Sequence, residues 1–165
     1  MSQAVLCNYP MSVQYINGSP HDPQKLVANY LSKQGISLET DDLIPVIIYN
    51  PEKDTIITPS PSLYNSYDAY YNELFIEIIQ STTHQSRIGM FNHHTEVDQQ
   101  YLENEFIGII GACMLSSITG LSRNALKHYV TRAFKQFIQE NPSMITLAVC
   151  QAEKAVELIM KGDIA

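Results

Sequence analysis

Tyr70-Tyr71-Asn72-Glu73-Leu74-Phe75-Ile76-Glu77-Ile78-Ile79-Gln80-Ser81-Thr82-Thr83-His84-Gln85-Ser86-Arg87-Ile88 is the stretch of the 165-residue chain that decides its fold. Tyr71, Leu74, Phe75, Ile78 and Ile79 recur at i, i+3, i+4, i+7 and i+8, the spacing of one helical face. Ser66 supplies an N-cap, and the pattern runs to about Ser81. Ile76 and Gln80 stand one turn apart and point the same way, with Glu77 beside them. Residues 83–95, with Gly89 and three histidines, read as a connecting loop.

Outward from this helix the chain alternates clear signals. Upstream, Asp22-Pro23 is an N-cap followed by proline at the first helical position. Leu26, Val27, Tyr30 and Leu31 then share a face, and Gly35 ends that helix. Val46–Tyr49 and Thr55–Thr58 are β-branched runs around Asn50-Pro51-Glu52-Lys53-Asp54, which makes a β-hairpin. Downstream, a long helix spans about Glu96 to Ile118. Its middle, Phe106 to Leu115, is nearly all apolar and is the expected central buried helix. Gly120 stops it, Ser122 can cap the next, and Asn141-Pro142 opens a last helix that Gly162 ends. The fold class is α+β: a small hairpin sheet, with room for a third short strand, packed on a mainly helical core. Residues 1–20 read as an irregular arm and 21–165 as one domain.

Composition narrows the function. Ten Lys and Arg stand against seventeen Asp and Glu, a net charge of -7. That balance disfavours a general grip on nucleic-acid phosphates. Charged residues are only 16% of the chain, below the average of about 25%, which leaves neutral surface for a partner or a homo-oligomer. Cys7, Cys113 and Cys150 are too scattered for a disulfide framework or a cysteine metal site. Reduced thiols and a cytoplasmic setting are the simplest reading. Residues 1–20 show no basic and apolar signal pattern, and no run has the ~18 apolar residues of a membrane span.

The 70–88 stretch has the shape of a zinc-peptidase helix, HExxH, with its outer letters replaced. Such a helix needs two histidines one turn apart so that both imidazoles reach the metal. Here those positions hold Ile76 and Gln80. The wider sequence resembles the zincin-like peptidase domain of ArdC-type antirestriction proteins and of the polyvalent proteins of plasmids and phages. Their segment reads approximately YYxxLFHELxHxTGHKSRL, and Tyr70, Tyr71, Leu74, Phe75, Glu77, Thr82, His84, Ser86 and Arg87 fall in register with it. Val46 to Ser62 is similar to the family's upstream hairpin and polar, proline-rich step. Asn104 to Leu115 (NEFIGIIGACML) is similar to its EELVAELGAAFL helix, and Ala148 to Met160 to its last helix. The similarity covers about residues 25–162.

The resemblance implies a minimal zincin-like fold and assigns the metal-ligand positions to 76, 80 and 109. Ile76, Gln80 and Ile109 replace all three ligands. Isoleucine has no lone pair to give, and an amide oxygen is a poor zinc ligand. Zinc is therefore expected to be absent. Glu77, the general-base position, is then a relic that must find donors, either a backbone group or a cation such as Arg87. His84, His93 and His94 are the candidates for a rescue metal site. Adjacent histidines in extended chain point apart, however, and zinc needs three or four converging donors.

Two further groups stand out. Arg123, Lys127, His128, Arg132 and Lys135 read as one helix, a solvated face or a patch for an acidic partner. Tyr64, Tyr67, Tyr70 and Tyr71 cluster where the 66–81 helix begins, as interface or packing residues. The favoured function is a catalytically inactive pseudo-peptidase that binds a protein. By resemblance its setting is a phage, plasmid or integrated element, and its target a host defence or DNA-processing factor. The family's separate single-stranded-DNA-binding domain has no room in 165 residues. The alternatives are a divergent zinc metallopeptidase using His84, His93 or His94 with Glu77, and an oligomeric scaffold.

Overall fold

The computed structural model describes residues 21–89 and 97–161. Helix α1 (Pro23–Gln34) starts where expected. Asp22 accepts from the N–H groups of Gln24 and Lys25 at 2.8 and 3.2 Å, and Gly35 ends the helix in the left-handed region at φ 69°. Strand β1 (Ser37–Thr40) follows at once and is the third short strand. Strands β2 (Ile48–Asn50) and β3 (Thr55–Thr58) form the hairpin. The sheet order is β1-β3-β2, with β1 parallel to β3 from Ser37↔Thr55 to Thr40↔Thr58. β2 runs antiparallel to β3, with Ile48 opposite Ile57.

Helix α2 (Tyr67–Ser81) is capped by Ser66, which accepts from the Ala69 N–H at 3.1 Å. Helix α3 (Val97–Thr119) is the expected buried element: Ile107, Ala112 and Leu115 are fully enclosed. The expected single helix after Ser122 is divided. A 3-10 turn covers Asn124–Tyr129, and α4 (Arg132–Glu140) begins anew. The β-branched pair Val130-Thr131 leaves the helical path, and Thr131 caps α4 by accepting from Phe134 N–H at 3.2 Å. Arg123, Lys127 and His128 therefore sit on a different element from Arg132 and Lys135. Helix α5 (Ser143–Met160) closes the core. Ala148, Ala152 and Ala155 are fully buried along it, and their small side chains let α5 lie close against its neighbours. Cys113 is a free, half-buried thiol. Glu96, Gly162 and the arm at 1–20 lie outside the described residues. Among those described, no helix is long and apolar enough to cross a membrane.

Three contacts position everything else. The first joins the hairpin turn to the end of α2. The Arg87 side chain, 1% exposed, donates to both carboxylate oxygens of Asp54 at 2.5 and 2.9 Å. It also donates to Tyr49 OH at 2.9 Å and to Ser81 C=O at 2.8 Å. Tyr49 OH in turn donates to Asp54 at 2.7 Å. The guanidinium holds the Asp54 carboxyl below the usual range. The second is a buried amide. Asn72, fully enclosed on α2, donates to the carbonyls of Asp68 and Ser122 at 2.6 and 2.7 Å. It accepts from Ser116 of α3 at 2.8 Å. The third is the close crossing of α2 and α3, where a Cβ on Gly111 would lie 2.5 and 2.6 Å from Ile79 Cδ1 and Cγ1.

Two expectations follow. Gly111→Ala gains about 1 kcal/mol of helix propensity, but forcing a methyl onto fully packed Ile79 costs about 1–3 kcal/mol. The clash wins, and urea denaturation should show a net loss of stability with an unchanged slope. Asp54→Ala leaves a buried guanidinium without its counter-charge. It should lower stability by about 3 kcal/mol, with a clear drop in thermal midpoint.

Candidate functional site

A cleft of about 750 Å³ opens between the sheet edge and the helices. Its roof is the β2 side: Ile47, Ile48, Tyr49, Pro51 and Glu52. Its floor is the α2 face carrying Ile76, Glu77 and Gln80. The turn after α2 adds Thr83, His84 and Gln85, and the start of α3 adds Tyr101, Asn104 and Glu105. The singled-out helix is therefore the floor of this cleft.

The carboxylates of α2 are committed to the strand edge. In an antiparallel pair, alternate N–H groups face away from the partner strand. The outward ones here are those of Ile47 and Tyr49. Ile47 N–H donates to Glu73 Oε1 and Tyr49 N–H to Glu77 Oε2, each at 2.8 Å. Residues i and i+4 on a helix lie about 6 Å apart, close to the about 6.6 Å between alternate residues on a strand, so two turns of α2 match two positions of β2. Glu77 thus takes the backbone option; Arg87 pairs with Asp54. Burial pushes the Glu77 carboxyl up to about 7; the Tyr49 N–H opposes this, and nearby Glu105 and Glu73 add to it. The Glu105 carboxylate likewise raises the Tyr101 hydroxyl.

Ile76 and Gln80 share the floor, as their spacing requires. The expected third member does not join them. Ile109 is 6% exposed, in the core, and is not among the residues lining the cleft. Residues 101, 104, 105 and 108 form one face of α3; 109, one turn beyond 105 and about 40° round from it, stands at the edge of that face and is buried in the core. A Cβ on Gly108 would sit 3.1 Å from both Gln80 Nε2 and Ile76 Cγ2, so the backbone itself closes on that pair. The carboxylate that α3 does present is Glu105. Its signal is in the sequence, for it stands opposite the second Glu of EELVAELGAAFL. Glu73, Tyr49, Tyr101 and Asn104 carry no such signal, because their roles depend on where β2 lies.

These side chains do not fit a divalent metal. Ile76 offers hydrocarbon, and Gln80 spends its amide N–H on the Asn104 carbonyl at 2.8 Å. His84 lines the cleft with its Nδ1 against Ser86 Oγ at 2.7 Å and Ser86 N–H at 3.2 Å, and is a single imidazole where zinc needs three or four donors. His93 and His94 lie outside the described residues. Among those described, no group of three or more His, Cys, Asp or Glu is placed to hold an ion. Asn104 Oδ1 is buried with no hydrogen-bond partner. Arg123, Lys127, Arg132 and Lys135 are exposed, away from the cleft lining. Tyr64, Tyr67, Tyr70 and Tyr71 stack at the start of α2, with Tyr64 edge-on to Tyr70 at 5.2 Å and Tyr67 tilted on Tyr71 at 4.6 Å. Tyr67 is half-exposed, and Tyr64 lines a second cavity of about 310 Å³ with Leu43 and Leu63.

A family profile described as zincin-like metallopeptidase matches residues 26–151. No curated protein matches the sequence. Among solved structures, the Mn(II)-bound crystal structure of the antirestriction ArdC protein from R388 plasmid superposes with a TM-score of 0.67 at 27% identity. The match covers 89% of this chain and 54% of that one. The metal-free structure of the same protein gives 0.66 at 27% identity, covering 88% and 52%. The chain thus spans about half the length of the solved protein it matches.

The Glu77 environment predicts a pH dependence. Its folded pKa, about 7, exceeds the unfolded value of about 4.3. The folded state therefore binds the extra proton between those values, and stability falls as pH rises through that window. Above pH ~7 the penalty is fully present, about 4 kcal/mol at most. Glu77→Gln keeps an acceptor for Tyr49 N–H and removes the charge. Urea midpoints measured from pH 5 to 8 should fall less steeply in the variant, which should be the more stable protein at pH 8.

Proposed function

The chain belongs to the zincin-like metallopeptidase family, and we propose that it is a non-catalytic member that keeps the peptidase cleft for binding. The observation that carries this reading is the floor of the cleft. Where a peptidase helix turns two imidazoles toward a metal, α2 turns Ile76 and Gln80, and the Gln80 amide is bonded to α3. Without a metal-bound water, Glu77 has no nucleophile to deprotonate. Its hydrogen bond to Tyr49 N–H gives it a structural use instead. Ile76 contributes apolar packing where a ligand would otherwise stand.

The likeness to an antirestriction protein from a plasmid supports a related setting. In that setting the chain acts in the cytoplasm, carried by a mobile element, and binds a host defence or DNA-processing protein. The acidic balance of the sequence supports a protein partner over nucleic acid. The alternative of a divergent metallopeptidase finds little in His84, which brings one imidazole where zinc needs three or four converging donors, and no such group stands among the described residues.

Metal analysis tests the reading. Untagged protein should hold far less than one zinc or manganese per chain by elemental analysis, and should cleave no peptide when either ion is added. The retained Glu105 gives a sharper test. The double change Ile76→His and Gln80→His should be enough to create tight binding of about one zinc per chain, with no substitution at 109. Stoichiometric metal in the unmodified protein would overturn the proposal.

A further inference from the structure

The cleft has kept its charge while losing its metal ligands. Glu52, Glu77 and Glu105 line it, and no lysine or arginine does. Asn104 Oδ1 adds a buried acceptor in the same wall with nothing donating to it. An unpaired buried acceptor is costly unless a ligand supplies the donor. The cavity's carboxylates thus have no lysine or arginine beside them, although Thr83, His84, Gln85 and Tyr101 bring neutral hydroxyl, amide and ring groups to its lining. The cavity volume of about 750 Å³ is well within the ligand-site range of about 300–1,000 Å³. Ile48 and Ile76 give it an apolar wall and Tyr101 an exposed ring, while Gln80, Thr83, His84 and Gln85 make up a polar side.

We propose that this cleft binds an arginine side chain presented by a protein partner. A guanidinium carries five donors in a planar fork, enough for Glu105 and the Asn104 oxygen together. Its weakly hydrated face packs on hydrocarbon and on an aromatic ring, which Ile76 and Tyr101 supply. A lysine ammonium has fewer donors and no face to stack. Recognition runs through a side chain because the strand edge is already used. The N–H groups of Ile47 and Tyr49 are taken by Glu73 and Glu77, so a partner's backbone cannot pair with β2 there. The inference rests on the metal-free reading above.

The test is fluorescence polarisation in chelator-treated buffer with a labelled peptide, acetyl-Ala-Ala-Arg-Ala-Ala-amide. Three comparison ligands are the same peptide with citrulline or lysine for arginine, and free agmatine. The arginine peptide should bind. Citrulline, equal in shape but neutral, should weaken binding by about tenfold or more, the loss of one charge-assisted hydrogen bond. Glu105→Gln should weaken the arginine peptide by a similar factor while the far-ultraviolet circular dichroism stays unchanged. Equal binding of the citrulline or lysine peptide, or an unaffected Glu105→Gln variant, would overturn the proposal. Agmatine binding as tightly as the peptide would overturn the protein-partner assignment. Repeating the titration with added zinc and weighing the peptide by mass spectrometry separates the two readings. No peptide binding and no metal uptake would defeat the arginine site alone, whereas stoichiometric zinc or a cleaved peptide would defeat the metal-free reading with it.

Discussion

The bidentate pair between Arg87 and Asp54 is the constraint on which the site depends. The Arg87 side chain is almost wholly withdrawn from water, and a buried cation survives only where its charge is paired and its donors find acceptors. Asp54, the Tyr49 hydroxyl and the Ser81 carbonyl answer it. Those partners lie on β2, on the hairpin turn and at the end of α2. The main chain of Asp54 also accepts from Ser37 N–H at 3.2 Å, which brings in β1. One side chain thereby fixes the distance and angle between sheet and helix. With that angle set, the outward N–H groups of Ile47 and Tyr49 arrive at Glu73 and Glu77, and the cleft has its roof.

The floor depends on a different kind of force. The α2–α3 crossing is apolar and close, and Gly108 and Gly111 are what make it close. Glycine in a helix interior is unfavourable by about 1 kcal/mol relative to alanine. Here that cost is offset by contact between the α3 backbone and the Ile76 and Ile79 side chains. The same approach brings the Asn104 carbonyl within reach of Gln80. Packing and polar satisfaction therefore act together where a coordination centre would otherwise bind the two helices.

Much of this was legible from residue patterns. The caps at Asp22 and Ser66, the stop at Gly35 and the apolar centre of α3 are local signals, and each appears as read. The hairpin was visible because β-branched runs flank a turn. β1 was harder, since Ser-Leu-Glu-Thr has no distinctive pattern and all four residues are exposed; tertiary pairing to β3 makes it a strand. The break at Val130-Thr131 was hidden because the apolar spacing continues across it while the backbone does not. At the site, Ile76, Glu77 and Gln80 were fixed by helical geometry alone. Position 109 is assigned by resemblance, but Ile109 is buried in the core and the cleft receives 101, 104 and 105. The commitment of Glu73 and Glu77 to a strand edge was not legible, because it joins residues 26 and 28 positions apart.

Asn72 has a consequence of its own. Two helices that meet through isoleucine, leucine and glycine can slide, since hydrocarbon surfaces are similar one turn apart. A shift of α3 by a turn, about 5.4 Å, would bring residues with a Cβ to the places where Gly108 and Gly111 meet Ile76 and Ile79. It would also pull Ser116 from the Asn72 oxygen and part the Ser122 carbonyl from the Asn72 amide. Each stranded buried group costs about 1–3 kcal/mol. The amide thus works as a longitudinal register pin alongside the two glycine contacts. It selects the one alignment in which Gly108 and Gly111 come to rest against Ile76 and Ile79.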